Sequence, residues 1–377
     1  MNTPELRSRC AAELKAAAGR VPQLKAFMGF DGFVDNILRV ADRVVSTGQY
    51  EWVPTIARLA ERIARAAGKS TNIELVSQQI KLGGNGPIMA NVMAGFGLKV
   101  CYLGNLGHPD LHPVFRDFAK RAEVHSIHEP GYTDALEFDD GKLMLGKLEA
   151  LKQFDWQLIK DRFGADKLAT KLNEAQFAAF VNWTHYPQMT GVWSAILNEV
   201  CPKITGPRRR LFFDLADPEK RTAADIADML KIVSGYQKHF DVILGLNEKE
   251  SSEIGESLGL DTGNHSPEGL AALGAKIRER LAVDTVVIHP VACALAVSEG
   301  DTAMVEGPFT PKPLITTGAG DHFNAGFCLG KLLGFDNALS VLTGVTSSGF
   351  YVRTAKSPGI DDMVKLLGDW PATRHTS

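Results

Sequence analysis

The sequence predicts an α/β fold with a mostly parallel sheet and one β-hairpin projecting from its body. Two observations predict the body. Strand-like and helix-like signals alternate for most of the 377 residues, the pattern of βα units and a parallel sheet. The composition, 45% hydrophobic and 23% charged, is that of a soluble globular chain long enough for one large α/β domain or two smaller ones. A third observation predicts the hairpin. From His125 to Leu148 the pattern changes to strand-like alternation around Asp139-Asp140-Gly141, a hairpin turn signal.

The elements follow in order. An amphipathic helix over 4–18 opens the chain, Ala- and Arg-rich with Glu5 and Glu13. The apolar run 24–30 is the first strand, and 34–50 is a further extended piece outside the main alternation. A helix over 53–67, a strand over 73–76, a helix over 86–96, a strand over 99–103 and a helix over 112–121 come next. In the hairpin, Tyr132 to Phe138 pairs with Lys142 to Gly146. Beyond it, strands over 177–182, 210–214, 241–245 and 285–289 alternate with helices over 190–199, 222–233, 247–257 and 267–281. A strand over 294–298 leads to helices over 321–333, 336–350 and 360–368. Linker-like composition is confined to 259–268 and the tail 369–377. Neither stretch reads as a domain boundary, so 1–377 is expected to be a single domain.

Several function classes drop out on composition. A net charge of −3 leaves no electrostatic footprint for nucleic acid or an anionic membrane. The basic knot Arg208-Arg209-Arg210 precedes an apolar run and reads as a solvated strand entry. Cys10, Cys101, Cys201, Cys293 and Cys328 are scattered with no C-x-x-C pair, which points to free thiols in a reducing compartment. His108 and His112 are four apart, but Pro109 and Pro113 break the helix that such a ligand pair needs. Residues 1–20 do not read as a signal peptide. The most apolar stretch, 88–104, is interrupted by Asn91, Gly95, Gly97 and Lys99, so no membrane span is expected. A cytoplasmic location is the expectation.

Chemistry concentrates in Thr316-Thr317-Gly318-Ala319-Gly320-Asp321-His322-Phe323-Asn324-Ala325-Gly326. An extended segment feeding a Gly-rich turn into a helix N-terminus is an anion-binding device, because the first-turn N–H groups and the helix dipole both favour negative charge. A carboxylate beside an anion hole is electrostatically awkward. Asp321 is explained if it is a general base next to a phosphoryl group; otherwise it is an ordinary Asp in a Gly-rich turn. The known phosphate motifs fail. Gly68-Lys69-Ser70 has Ile63 where a Walker A loop needs glycine, and Phe323 occupies the third glycine position of a dinucleotide fingerprint. No H-R-D loop of a protein kinase is present.

Three upstream clusters share the pattern of a small polar turn at an element boundary. Gly83-Gly84-Asn85-Gly86 precedes a helix, where Gly84 and Asn85 would let backbone and amide approach a polyol. Gly29-Phe30-Asp31-Gly32-Phe33-Val34-Asp35 follows the first strand. Acidic residues there, Asp31 and Asp35, sit where open α/β sheets bind ligands and suit sugar hydroxyls. Asn247 and Glu250 fall three apart after the strand 241–245. They either hold phosphate oxygens and a hydrated Mg²⁺ or form a capping box.

In order and spacing these four clusters resemble the ribokinase-like (PfkB-type) carbohydrate kinases. Gly-Ala-Gly-Asp followed by Phe323-x-Ala325-Gly326 resembles the family's C-terminal signature, and Leu82 to Asn85 through Gly104 to Gly107 its first signature region. Asn247-x-x-Glu250 resembles its N-x-x-E motif, and Phe213 to Pro218 the Asp-containing strand end between them. The resemblance spans about residues 24 to 367. It implies a three-layer α/β/α sandwich with a small β-sheet lid, to which 34–50 and 125–148 would contribute. It implies phosphoryl transfer from ATP to a hydroxyl of a sugar or sugar-like substrate. Asp321 would be the base, and Gly318, Ala319 and Gly320 would form the anion hole. Asp31, Asp35, Gly84 and Asn85 would bind substrate, with Asp35 the better family match. Thr317, Asn247 and Glu250 would serve nucleotide phosphates, Glu250 through a water-bound Mg²⁺, and the family leaves room for a monovalent cation.

Two departures stand out. Ile315 replaces an Asp that the family usually carries before the Thr-Gly. The stretch His289 to Ala294 lacks the Thr-x-Gly-x-x-Gly that usually ends the nucleotide-side strand. The rival readings are a nucleoside or other small-metabolite kinase, with Phe30, Phe33, Trp183 and Tyr186 stacking on a base, use of ADP as donor, and a non-catalytic sugar-binding paralogue. No nucleic acid or membrane partner is expected. A lid sheet with an exposed edge is a natural dimer surface, so a homodimer through the lid is the expected assembly.

Overall fold

The computed structural model describes residues 2–371, so positions 372–377 of the linker-like tail lie outside the described residues. Its strands are β1 (Lys25–Phe30), β2 (Phe33–Ser46), β3 (Gln49–Trp52), β4 (Leu75–Gly83), β5 (Lys99–Gly104), β6 (Glu123–Ser126), β7 (Gly131–Phe138) and β8 (Gly141–Lys147). They continue as β9 (Phe177–Val181), β10 (Arg209–Asp214), β11 (Phe240–Leu246), β12 (Thr285–Ile288), β13 (Cys293–Ser298) and β14 (Asp301–Glu306). Nine of them form the main sheet in the order β14-β13-β12-β11-β10-β9-β1-β5-β6. The sheet is parallel from β12 to β6, and β13 and β14 add an antiparallel edge.

Both faces of this sheet are covered, which is why its strands read as continuous apolar runs. Leu211 and Phe213 of β10 point into one core, and Phe212 between them points into the other. The first core takes side chains from helices Ala165–Glu174, Met189–Ala195, Ala223–Tyr236 and Pro267–Leu281. Trp193, Phe180, Phe213 and Tyr236 meet there edge to face, with ring centroids 4.9–5.9 Å apart. Burial of each such side chain stabilises the fold by about 1.5–3 kcal/mol. The second core takes side chains from helices Pro4–Ala17, Asn85–Gly95, Ala319–Leu333, Asn337–Thr354 and Ile360–Gly368. Helix Ala319–Leu333 is buried at every position from Asp321 to Lys331. Its N-terminus therefore has little freedom to move.

A smaller sheet has the order β3-β2-β7-β8, with β4 also on β2. The hairpin forms as expected: Glu137 faces Lys142 and Phe138 faces Gly141 across Asp139-Asp140. One face carries its own small core, in which Leu38, Val40, Leu136, Phe138 and Leu143 pack with Val53 and with Leu59 of helix Ile56–Ala64. On β2, Asp35 pairs in register with Lys81 of β4 and Thr133 of β7, so these three polar side chains share the opposite face.

Some expectations shift. The strand expected at 73–76 runs from Leu75 to Gly83 and belongs to the smaller sheet, while Glu123–Ser126 joins the edge of the main one. Helices Trp156–Arg162 and Ala165–Glu174 and strand β14 were not expected. On β14 only Val305 is buried, so a polar edge strand reads as a loop. The helix expected at 112–121 is a 3₁₀ turn, Pro113–Phe115, followed by Arg116–Ala119. The five cysteines are free and buried. Arg208 and Arg209 bind main-chain carbonyls around the β10 entry, which accounts for the basic knot. Among the described residues, no helix is long and apolar enough to cross a membrane.

Candidate active site

The candidate anion-binding turn precedes helix Ala319–Leu333. Gly318 caps it with φ 90°, a left-handed conformation that strains any side chain, and a Cβ there would lie 3.3 Å from the Tyr351 hydroxyl. The Ala319 N–H bends back onto the Thr316 carbonyl at 3.0 Å. Gly320 and Asp321 then remain as first-turn amides without an intrahelical partner. The turn is held from behind. Tyr351 donates its hydroxyl to the Thr317 carbonyl at 2.9 Å and stacks on His322, ring centroids 3.6 Å apart. His322 Nδ1 lies 2.7 Å from the Gly318 carbonyl and Nε2 lies 2.9 Å from Ser357 Oγ. Burial pushes the His322 pKa down to about 4, so this brace is neutral.

Asp321 is 8% exposed. Burial, followed by the charges of Asp214 and Asp31, lifts its carboxyl well above the usual range. One hydrogen bond opposes that shift: Asn85 Nδ2 donates to Asp321 Oδ1 at 3.1 Å. One turn along, Asn324 Nδ2 donates to Asp214 Oδ2 at 2.8 Å. Burial lifts Asp214 to about 6.

The glycines of 83–86 are there for two aspartates. A Cβ on Gly83 would lie 2.4 Å from the Asp35 carboxyl, one on Gly84 2.8 Å from Asp31 Oδ2, and one on Gly86 2.3 Å from Asp31 Oδ1. Asp31 is wholly enclosed and Asp35 is 5% exposed. Asp31 accepts from the Gly86 N–H and from Asn182 Nδ2, both at 2.8 Å. Asp35 interacts instead with Lys81, Thr133 and Lys142, which oppose the rise that burial imposes on it. The structure thus brings Asp35, Asn85 and Asp321 close together and encloses Asp31 beside them.

Two lysines on the smaller sheet approach this group. Lys142 Nζ donates to Thr317 Oγ1 at 2.6 Å. Lys81, whose pKa is lowered by burial, interacts with Asp35, Lys142 and Asp321. Sequence reasoning singled out neither. Lys142 directly follows the hairpin turn, but its direction depends on pairing between distant strands.

After β11, Asn247 and Glu250 form the capping box: Asn247 Oδ1 accepts from the Glu250 N–H at 2.9 Å and Glu250 Oε2 from the Asn247 N–H at 2.8 Å. Glu250 Oε1 also accepts the Asp217 N–H at 2.9 Å. Burial, then the Asp214 charge, lifts Glu250 to about 8. Both carboxylate oxygens thus serve N–H groups, so of the two expected roles the capping box is the one this geometry displays. In the departing loop, His289 packs on Phe323 with centroids 4.9 Å apart, and its Cε1 would lie 3.4 Å from a Cβ on Gly320. A neutral imidazole, its pKa lowered to about 4 by burial, stands there. The aromatics weighed as base-stacking groups are enclosed: Phe30, Trp183 and Tyr186 wholly, and Phe33 to 6% exposure.

Comparison with known proteins identifies the family and the fold. The sequence model of prokaryotic ketohexokinase matches residues 2–370. A ketohexokinase from Haloferax volcanii is 30% identical over 367 residues, covering 96% of each chain. Among solved structures, Arabidopsis thaliana ribokinase complexed with ribose and ATP superposes with a TM-score of 0.63 at 15% identity, covering 91% of this chain and 98% of the other. A nucleoside kinase of the ribokinase family from Methanocaldococcus jannaschii gives 0.61 at 15% identity, covering 92% and 98%. These two show the ribokinase fold. With the match to almost its whole length, the chain belongs to the prokaryotic ketohexokinase family and is a carbohydrate kinase.

Proposed function

We propose that this protein transfers the γ-phosphoryl group of ATP to a primary hydroxyl of a ketohexose, with Asp321 as general base. The observation that carries this reading is the Asp321 carboxylate at a helix N-terminus, held by Asn85, with Lys81 near it and Lys142 on the neighbouring Thr317. The ketohexose assignment rests on the name of the Haloferax relative and on family membership.

Asp321 takes the hydroxyl proton as the sugar oxygen bonds to the γ-phosphorus. The bond from that phosphorus to the bridging oxygen breaks, and ADP leaves. A positioned base contributes about 10²–10⁴-fold to such a step. The Gly320 and Asp321 amides stabilise charge on the transferred group. Asp35 and Asn85 orient the sugar hydroxyls, which are donors to carboxylate and amide oxygen. Lys142, already 2.6 Å from Thr317 beside the anion hole, brings a positive charge to the phosphoryl group from the smaller sheet, which acts as a lid and excludes water. Asn247 and Glu250 would serve the donor phosphates, and a Mg²⁺ arriving with the nucleotide would supply positive charge against theirs. Exposed Ile80, Met144 and Leu145 on the smaller sheet support a homodimer through the lid.

The test is a coupled ADP-release assay over ketohexoses, aldoses, polyols and nucleosides, with the Asp321→Asn variant as the blank. Turnover of a ketohexose that disappears in the variant is expected. A wild-type enzyme that phosphorylates only nucleosides, or a variant with near wild-type turnover, overturns the assignment.

A further inference from the structure

We infer that Asp31 is a positioning residue, which holds the Asn85 amide on the catalytic carboxylate and is itself braced by Asn182 and His185. The inference rests on the reading of Asp321 as the base.

Asp31 has no exposed surface, so substrate does not reach it. Its Oδ1 accepts the Gly86 N–H at 2.8 Å and the Tyr102 hydroxyl at 3.2 Å, and the Asn85 main-chain amide also favours its charged form. Asp31 therefore caps the first turn of helix Asn85–Gly95, where donors have no intrahelical partner. The Asn85 side chain leaves that same turn and reaches Asp321 Oδ1 at 3.1 Å. A shift of the turn moves the amide off the base.

The other oxygen faces a relay. Asn182 Nδ2 donates to Asp31 Oδ2 at 2.8 Å. That fixes Asn182 Oδ1 as an acceptor, so the proton of the 2.7 Å contact with His185 belongs to His185 Nδ1. Burial lowers the His185 pKa to about 4, so one neutral tautomer serves across the working range. Asn182 has φ 61°, a region in which Asn and Asp are the favoured side chains. The main chain is pinned as well: the single Tyr102 hydroxyl proton, shared with Oδ1, is donated mainly to the Asp31 carbonyl at 2.6 Å, and Tyr186 accepts the Gly32 N–H at 3.2 Å.

A swap of the two side chains tests this. Asp31→Asn alone sets an amide NH₂ against either the Gly86 N–H or the Asn182 NH₂. The resulting misplacement should cost about 10²-fold in kcat, with the nucleotide KM unchanged. The double variant Asp31→Asn/Asn182→Asp restores an acceptor for Gly86 and a carboxylate for His185, and should return kcat to within about fivefold of wild type, as coupled pairs do. On an Asn85→Ala background, Asp31→Asn should cost less than about threefold more, because its effect passes through Asn85. Circular dichroism checks that each variant is folded at the assay temperature. If Asp31→Asn is not, His185→Ala takes its place, with a loss of about 3–10-fold in kcat that vanishes on the Asn85→Ala background. Failure of the swap to rescue, or a loss that persists undiminished without Asn85, overturns the positioning role. An inactive wild type overturns the kinase reading instead, and an active wild type with Asp31→Asn at full turnover overturns the positioning role alone.

Discussion

Asp321 begins the buried stretch of its helix, which runs to Lys331, and directly follows the turn proposed as the anion hole. Lys81 and Lys142 stand nearby on a five-stranded sheet whose own core is a handful of side chains, Leu38, Val40, Leu136, Val53 and Leu59. The first wall is one continuous stretch of chain wedged against the main sheet. The second is assembled from β2, β4 and β8, which meet only through strand pairing. The proposed chemistry requires fixed geometry and would come from the rigid wall. Substrate entry requires motion and would be served by the wall with the smaller core. Perturbing the rigid wall should therefore abolish turnover, and perturbing the sheet should adjust it.

The largest effect belongs to Asp321→Asn. It removes the proton acceptor while keeping shape and the Asn85 contact, so turnover should fall by about 10²–10⁴-fold. Thermal unfolding should show an intact fold, stabilised if anything by loss of a buried charge. Lys142→Ala comes next. It deletes the cation that reaches Thr317 from the smaller sheet, and kcat should drop by about 10-fold or somewhat more, on the scale of a charge-assisted contact. Lys142→Arg should recover much of the loss if charge is what matters. Equal losses in Lys142→Ala and Asp321→Asn would erase the distinction between the walls. Gly318→Ala follows. A Cβ at φ 90° is strained and lies 3.3 Å from the Tyr351 hydroxyl, at a cost of about 1–2 kcal/mol, read as about 10-fold in kcat where the strain tilts the anion hole.

The two walls also differ in how much of them the sequence discloses. Gly318 to Asp321 is legible because turn, amides and carboxylate are neighbours in the chain, and the fold has only to form one helix. Asp31 and Asp35 both follow the first strand in sequence, and the family resemblance favours Asp35 without saying what Asp31 does. Burial separates them, and burial depends on β9 and the helix Asn85–Gly95 closing over Asp31. Glycines 83 to 86 read as room for a polyol, whereas the groups that crowd them are the two aspartate side chains. Lys81 carries no local signal: it faces Asp35 only because β2 and β4 pair in that register. The hairpin itself was legible from Asp139-Asp140-Gly141, but the parallel pairing of β7 with β2 that aims Lys142 at Thr317 was not. In the 289–294 loop the missing glycines were plain, and the finding that His289 packs behind the anion hole required the fold.

The smallest effect is electrostatic and concerns the coupling between the walls. The base must be ionised to accept a proton, and burial with the Asp214 and Asp31 charges raises its pKa. The free enzyme's kcat/KM should therefore climb with pH along an acid limb that lies above the usual carboxylate range. Lys81 is a nearby positive charge that interacts with Asp321 and more strongly with Asp35. A cation favours the ionised carboxylate, so Lys81→Met should raise the pKa of the base and move the acid limb to higher pH. Below the limb the variant is then slower than wild type, and on the alkaline plateau the two converge apart from any change in sugar affinity. Lys81→Arg keeps the charge and should leave the limb where it is. Added salt decides the remaining case: a coupling through solvent weakens within a Debye length of about 8–10 Å at 0.1–0.15 M ionic strength. One through the protein persists. A limb that stays in place in Lys81→Met at low salt would mean that the smaller sheet's charges act on the sugar alone, and that the base is tuned entirely from its own wall.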